Sequence, residues 1–545
     1  NKISCQMRLL NSFLFSSLLI GQIYNLPFDW SGQFGISTVD GRLFWNSDWT
    51  SGPLLFDGTY THYPLRYGNA ISALFQPAGT HLIPLTIYQL PDTTSTTTIL
   101  DYERGDYNYD RLAIDADFKT PGRSVGLHGF KRSYAGREGQ FFHPKGNTSP
   151  LQQTFKVDYR SENKGWLIDA STARLVTELG LPDSGTVNGL LEDEILTAGI
   201  ITRSPGEKLQ WTSHLTLFQQ WRRIDASWYG DRKKQFISRR MWKQELDGFN
   251  IEGFSTSLGM DLNTQSISKT DTVQRDIDWA VTYARVKWKG INASFGGSYF
   301  SSDETYRNIS VEYSNSWKFL SINTEFSEQY RPTHIHIWEA NHNDLIERFI
   351  RGVLSINAEF KNVKTGINYF NGVSKINSVE RGDYSTVELF NQLVLYKQLS
   401  FKGSYSLQKG NFYLSDEIGK KIQFQLAYKK EHFFNRFDLS ANLYGEGLLN
   451  RKKSNLLSPL DGVSLENAGT SLNLSDIWLL NFDVSATIST MTITWSVRNI
   501  LQAIEPFALK MFPDKQEGDF LIQHNSTFPP MGRLVSFGIH WTFKD

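Results

Sequence analysis

Histidine is scarce in this chain, 11 among 545 residues, so a cluster of it stands out. His334-Ile335-His336 puts two imidazoles at i and i+2, on one side of an extended backbone, with Glu339 and His342 close behind. Imidazoles sharing a face with a carboxylate suit a divalent metal. His334, His336 and His342 are therefore the candidate metal ligands. A second group is cationic and aromatic. Arg222-Arg223 and Arg232-Lys233-Lys234 lie near Trp221 and Trp228. Charge-assisted hydrogen bonds from such residues suit phosphate groups. Catalytic patterns are absent. The chain has no Gly-x-Ser-x-Gly elbow, no phosphate loop ending in Gly-Lys-Ser/Thr and no His-Glu-x-x-His. Neither an enzyme nor a cofactor is expected.

The elements that must hold these residues follow from composition and periodicity. Basic and acidic residues balance at 56 each, which argues against a nucleic-acid partner held by bulk charge. One Cys excludes a disulfide framework and a cysteine-rich zinc site. Aromatics reach 14%, with 15 Trp, 23 Tyr and 37 Phe, more than a soluble enzyme needs. Met7-Arg8-Leu9-Leu10 opens an apolar stretch through Phe13, Leu14, Phe15, Leu18, Leu19 and Ile20. Residues 7–22 read as a secretory signal peptide. Beyond them no apolar run reaches the roughly 18 residues of a membrane helix.

From residue 95 onward the period is two. Val535, Phe537, Ile539, Trp541 and Phe543 share one face, and Ser536, Gly538, His540 and Thr542 the other. The same alternation runs through Leu112–Phe118, Ile291–Phe295, Ile422–Tyr428, Phe437–Leu443, Phe482–Ile488 and Met491–Val497. A soluble sandwich alternates too. Strand length favours a bilayer, because these strands run to about ten residues or more rather than the usual five or six. Aromatics also gather at strand ends, at Tyr107, Tyr109, Trp166, Trp288, Trp317, Trp541 and Phe543, as in headgroup girdles.

The connections fall into two expected classes. Tight turns are predicted at Thr120-Pro121-Gly122, Glu162–Gly165, Ser204-Pro205-Gly206, Asp247-Gly248, Lys289-Gly290, Ser316–Lys318, Lys361-Asn362, Lys397-Gln398, Asn435-Arg436 and Ser489-Thr490. Longer connections are predicted over 137–150, 182–193, 329–344 and 447–474. About ten turns on one rim, with both termini there, give a transmembrane antiparallel up-and-down β-barrel of about 22 strands, within a range of about 18 to 24. The domains are then a short N-terminal segment, 23–94, and a barrel, 95–545. A barrel suits lipid because closure leaves no unpaired edge.

The last strands carry a resemblance. Ser536, Gly538, Trp541 and Phe543 look like the β-signal read by the outer-membrane barrel-assembly machinery, with Lys544 and Asp545 as an extension. Trp495-Ser496-Val497-Arg498-Asn499-Ile500 is similar to the penultimate strand of TonB-dependent receptors, where an Asn closes the strand. Pro529-Pro530-Met531-Gly532-Arg533 resembles the approach to their final strand. The resemblance implies a plugged lumen and a place in the bacterial outer membrane. Pro53–Gly58 and Arg66–Ile71 resemble plug fragments, so segment 23–94 is a candidate reduced plug. It is shorter than the family's plug domain, and no TonB-box segment stands out, which leaves TonB coupling open.

In such a barrel the lumen face carries function. The candidates there are Asp115, Asp117, His128, His214, Glu359, Asp438, Asp483, Arg498 and His540. The expected function is passage of a small solute, as a porin-like channel or a TonB-receptor-like importer. The alternative is a surface-binding or adhesion barrel that grips through its outer loops. The expected surroundings are outer-membrane lipid and lipopolysaccharide.

Overall fold

In the computed structural model the chain closes into one antiparallel barrel of 22 strands. The structure describes residues 35–39 and 42–46. Between 90 and 544 it describes all but 91, 134–150, 184–185, 207–208, 225–232, 252, 270–271, 334–337, 340–341, 344–345, 378, 412–416, 435, 455, 459–462, 466–470 and 522–531. The expected signal peptide lies outside the described residues, as do the two plug-like fragments and Pro529–Met531.

The barrel strands are β1 (Ser95–Gly105), β2 (Asp110–Thr120), β3 (Arg123–Ser133), β4 (Leu151–Asn163), β5 (Trp166–Asp183), β6 (Thr186–Arg203), β7 (Gln210–Ile224) and β8 (Lys233–Ile251). Then come β9 (Phe254–Lys269), β10 (Val273–Trp288), β11 (Ile291–Phe300), β12 (Thr305–Trp317), β13 (Leu320–Pro332), β14 (Ile346–Phe360) and β15 (Val363–Ile376). The last are β16 (Val379–Tyr396), β17 (Leu399–Asn411), β18 (Glu417–Phe433), β19 (Phe437–Ser454), β20 (Ile477–Ile488), β21 (Met491–Arg498) and β22 (Leu534–Lys544). Each pairs with its neighbours in sequence, and β22 closes the ring on β1. A separate hairpin, Gly35–Val39 with Arg42–Asn46, precedes the barrel, and the backbone of Arg42–Asn46 approaches β15, β16 and β18.

Burial is inverted relative to a soluble protein. Ile114, Leu127, Phe155, Leu215, Leu258, Phe295 and Phe326 are exposed, whereas Arg160, His214, Arg239, Lys243, Asp261, Arg275 and Glu446 are buried. Water-soluble folding does the reverse. The arrangement fits apolar side chains facing lipid and polar ones facing an enclosed lumen. On β7 the outward side chains run from Trp211 to Trp221, both exposed. Ten residues of strand, tilted about 40°, give an apolar belt about 25 Å tall. Trp166, Trp288, Trp317, Phe319, Phe360, Tyr396, Trp541 and Phe543 are exposed near the short-turn rim, where the lower girdle belongs. Tyr109 departs from the expectation. It is buried, and its hydroxyl donates to Glu103 Oε2 at 3.5 Å, so it packs within the β1–β2 connection and is no girdle residue.

Ten short turns join the strands on one rim. At Lys164-Gly165 and Lys289-Gly290 both residues have positive φ, the pairing that matches strand twist in a two-residue hairpin. A Cβ on Gly290 would meet the Ser314 carbonyl at 2.2 Å, so backbone approach adds to the conformational demand. The turn expected at Asp247-Gly248 is not one. Pairing of β8 with β9 continues to Ile251 opposite Phe254, and Gly248 (φ 117) is absorbed as a bulge. On the other rim five connections are as short as the inner turns: 106–109, 184–185, 270–272, 301–304 and 377–378. The loop expected over 182–193 is mostly strand, because β5 and β6 each run 18 residues and stay paired to Asp183 opposite Thr186. Pro182 fits there because a register shift separates it from Gly180, where a missing ladder N–H costs least.

Candidate functional site: the lumen wall

Directly paired residues in antiparallel strands point the same way, so register assigns the lumen face around the ring. Asp115 opposes His128, His214 opposes Lys243, Glu359 opposes Lys364, Asp438 opposes Thr487, Asp483 opposes Ser496 and Thr492 opposes His540. The nine polar candidates all fall on the face that carries the buried polar residues.

Along β1–β5 this face is a ladder of opposite charges. Arg111 pairs with Asp101, and its Nε lies 3.8 Å from Glu103. His128 Nδ1 is 2.5 Å from Asp115 Oδ1, Lys119 is 3.6 Å from Asp117, Lys156 is 2.8 Å from Asp158 and Arg160 is 3.9 Å from Asp169. On β20–β21 Arg498 donates to Asp483 Oδ1 at 2.5 Å. Outside the span, burial pushes the Tyr109 phenol up, and the Glu103 carboxylate adds to that.

A second, deeper network lies on β8–β10. Tyr283 crosses Gly259 of β9 to donate to Glu245 Oε2 on β8 at 2.7 Å, and Arg285 donates to Glu245 Oε1 at 2.9 Å. Lys243 stands 3.6 Å from Asp261 and 5.4 Å from the Tyr283 ring. Gly259 is what lets the ring through, since a Cβ there would meet Tyr283 Cζ at 2.1 Å. A third network, on β16–β19, sets Lys421 3.6 Å from Glu446, beside buried Glu388, Gln408 and Thr386. The hairpin Arg42–Asn46 approaches this part of the wall.

The outer half of the wall is different, and alternation alone did not reveal it. Ala173, Leu175, Ile195, Phe218, Ile237 and Ile267, from β5 to β9, form a buried apolar cluster on the lumen face. Val273 and Trp338 pack against it. Trp338 belongs to the β13–β14 connection, which holds the predicted histidine cluster. His334 and His336 lie outside the described residues. The Glu339 carboxylate accepts from Lys269 Nζ at 2.9 Å, and the His342 ring meets Trp338 edge-on at 4.5 Å. Among the described residues no three His, Cys, Asp or Glu side chains gather closely enough to hold a metal. Of the two adjacent arginines, Arg222 turns to the lumen and bonds Asp193 at 3.1 Å, while Arg223 turns outward and pairs with Glu192. Arg232 and Trp228 lie outside the described residues.

The family-like end of the chain is built as follows. Asn499 ends β21 in a left-handed conformation (φ 52) and caps α1 (Ile500–Ala503), its side chain accepting from the Gln502 N–H. Its backbone N–H donates to Asn481 Oδ1 at 2.6 Å and its Nδ2 to the Phe520 carbonyl at 2.8 Å. A second helix, α2 (Glu505–Met511), packs Ala508 with Leu501 and Phe520. In β22, Ser536 faces inward, while Trp541 and Phe543 face outward with ring centroids 4.3 Å apart.

Among solved structures, the chain is similar to the FrpB iron transporter of Neisseria meningitidis in its apoprotein form. Identity is 12% and the TM-score 0.63, covering 83% of this chain and 82% of that one. It is also similar to the copper transporter OprC (10% identity, TM-score 0.60, 83% and 81% covered). The siderophore receptor PirA from Acinetobacter baumannii is a further match (8%, TM-score 0.61, 84% and 81% covered). The chain has a TonB-receptor-like barrel fold. No family model and no curated protein matches its sequence. In this barrel, then, β21, the Asn499 junction and β22 complete the ring, and the charged inner face is the wall of its lumen.

Proposed function

We propose that this barrel imports a small solute across the outer membrane, with its N-terminal segment acting as a reduced plug. The observation that carries the reading is the largely polar inner face of a closed ring, with charged ladders and networks on β1–β5, β8–β10, β16–β19 and β20–β21. Similarity to transporters and a receptor of iron, copper and siderophores supports import. The approach of Arg42–Asn46 to β15, β16 and β18 supports a receptor-type lumen over an open pore. Short outer connections over five of the hairpins weigh against a barrel that grips a surface by its loops. A leader over 7–22 and the β22 face would deliver the chain to the assembly machinery, and Arg223 suits lipopolysaccharide phosphate.

The test is conductance in planar bilayers, for the full chain and for a deletion of 24–94. Low conductance that rises several-fold on deletion is expected. Equal conductance for both forms would remove the plug. No conductance from either, with no solute uptake by proteoliposomes, would remove transport.

A further inference from the structure

The β13–β14 connection makes three contacts with the outer lumen wall, and each has its own chemistry. The Trp338 indole lies on the apolar cluster of Leu175, Ile195, Phe218, Ile237 and Ile267. The Glu339 carboxylate takes Lys269 at 2.9 Å. The Thr333 carbonyl takes Arg275 Nη1 at 2.7 Å, and the Arg275 guanidinium stands 6.0 Å from the Trp338 ring. A flat ring, a carboxylate and a carbonyl are thus held together by one patch of wall.

Most of the lumen face is polar, so an apolar cluster across five adjacent strands stands out; it is covered in the folded chain, with Val273 and Trp338 packed against it. Water gains nothing there. Cations rim the cluster: Arg239 opposes Phe218, Arg275 opposes Ile267, and Lys269 lies two residues beyond Ile267. The Arg239 guanidinium is steadied by Asn263 at 3.0 Å and lies 5.4 Å from the Trp279 ring.

We propose that this patch is a binding site for a solute carrying a flat apolar ring and a carboxylate or similar anionic group, and that Trp338 and Glu339 occupy it as an internal stand-in. The proposal deepens the import reading and rests on it for its biological meaning. The incoming ring replaces Trp338 on the apolar cluster. The anionic group replaces Glu339 on Lys269 and reaches Arg275. Displacing the stand-in lowers apparent affinity by the fraction of molecules in which it is seated. Removing the stand-in therefore tightens binding, the opposite of removing an ordinary contact.

The test is titration of the full chain in detergent micelles with 2-naphthoate. 2-Naphthylmethylammonium supplies the ring with the wrong charge, and acetate supplies the charge without the ring. Saturable naphthoate binding is expected, at least about tenfold tighter than either control. Trp338→Ala should tighten it about three- to tenfold, and so should Glu339→Gln, which leaves the apolar patch untouched. Phe218→Ser should abolish it. Weaker or unchanged binding in both stand-in variants would overturn the proposal, as would equal binding of the three probes. Heat-modifiable migration in SDS gels reports that each variant is folded. Binding is read without translocation, so a barrel that binds naphthoate yet passes no solute would count against import alone.

Discussion

Ser536 Oγ donates to Glu103 Oε1 at 2.6 Å, although 433 residues separate them in the chain. The bond crosses the seam where β22 meets β1, and it joins the inner face of β22 to the charge ladder of the lumen. Next to it the Asp106 carboxylate accepts from the Val535 N–H at 3.1 Å. The ring is thus locked by side chains as well as by the backbone pairs from Ser536 opposite Gly105 to Lys544 opposite Thr97.

Hydrogen bonds to ionised groups contribute about 1.5–3 kcal/mol when partly buried. Ser536→Ala should therefore destabilise the folded barrel by about 1.5–3 kcal/mol in urea refolding into detergent. Glu103→Gln should cost about as much, and the double variant less than the sum. Full additivity would mean that the seam bond contributes nothing.

Gly538 is one of the four residues proposed to signal assembly, yet the folded barrel does not require a glycine there. Its φ is not positive, and a Cβ there would find its nearest neighbours at 3.5–3.9 Å, ordinary contact. Gly538→Ala should leave folded stability within about 0.5 kcal/mol. The double variant Trp541→Ala, Phe543→Ala should instead lower the amount assembled in the outer membrane. Normal insertion of that double variant would refute a signal role for these aromatics.

Gly259 is the opposite case. Tyr283 passes over it at a distance no Cβ tolerates, and the ring is fixed beyond by Glu245. Gly259→Ala should cost about 1–3 kcal/mol through overpacking. Tyr283→Phe removes only the hydroxyl and should cost about 1 kcal/mol, since Arg285 still satisfies Glu245. Thermal unfolding in detergent orders the two.

At Asn499 the backbone and the side chain make separable demands. Asn499→Gly keeps the left-handed conformation but loses the bonds to Gln502 and Phe520, while Asn499→Ala loses both. Alanine should be the worse by about 1 kcal/mol, with a total loss near 2 kcal/mol. Equal losses would show that φ contributes nothing at this junction.

The barrel was legible because its physics is written in the sequence twice, once as alternation and once as turn chemistry. Ile291–Phe295 and Phe537–Phe543 state which face meets lipid, and turns such as Lys289-Gly290 mark the inner rim. Turn chemistry misled where register decided the outcome. Gly248 has turn character but is a bulge, because β8 and β9 go on pairing past it. The site was less legible. The pairing of Asp115 with His128 follows from strand register, which sequence leaves free by two residues. The apolar patch on β5–β9 was hidden because Phe218 and Ile237 stand in strands whose two faces both carry apolar residues, so alternation assigns neither side. Seating Trp338 on it requires a loop from β13–β14 to meet a wall four strands away.

The most direct test follows single cysteines along β9 from Ser257 to Asn263, leaving Gly259 in place, in a chain carrying Cys5→Ser, each bearing a nitroxide in reconstituted bilayers. Spectra should be relaxed by dissolved oxygen at 258, 260 and 262, and by a water-soluble nickel chelate at 257, 261 and 263. The reversed alternation, or none, would contradict a barrel whose apolar face meets lipid.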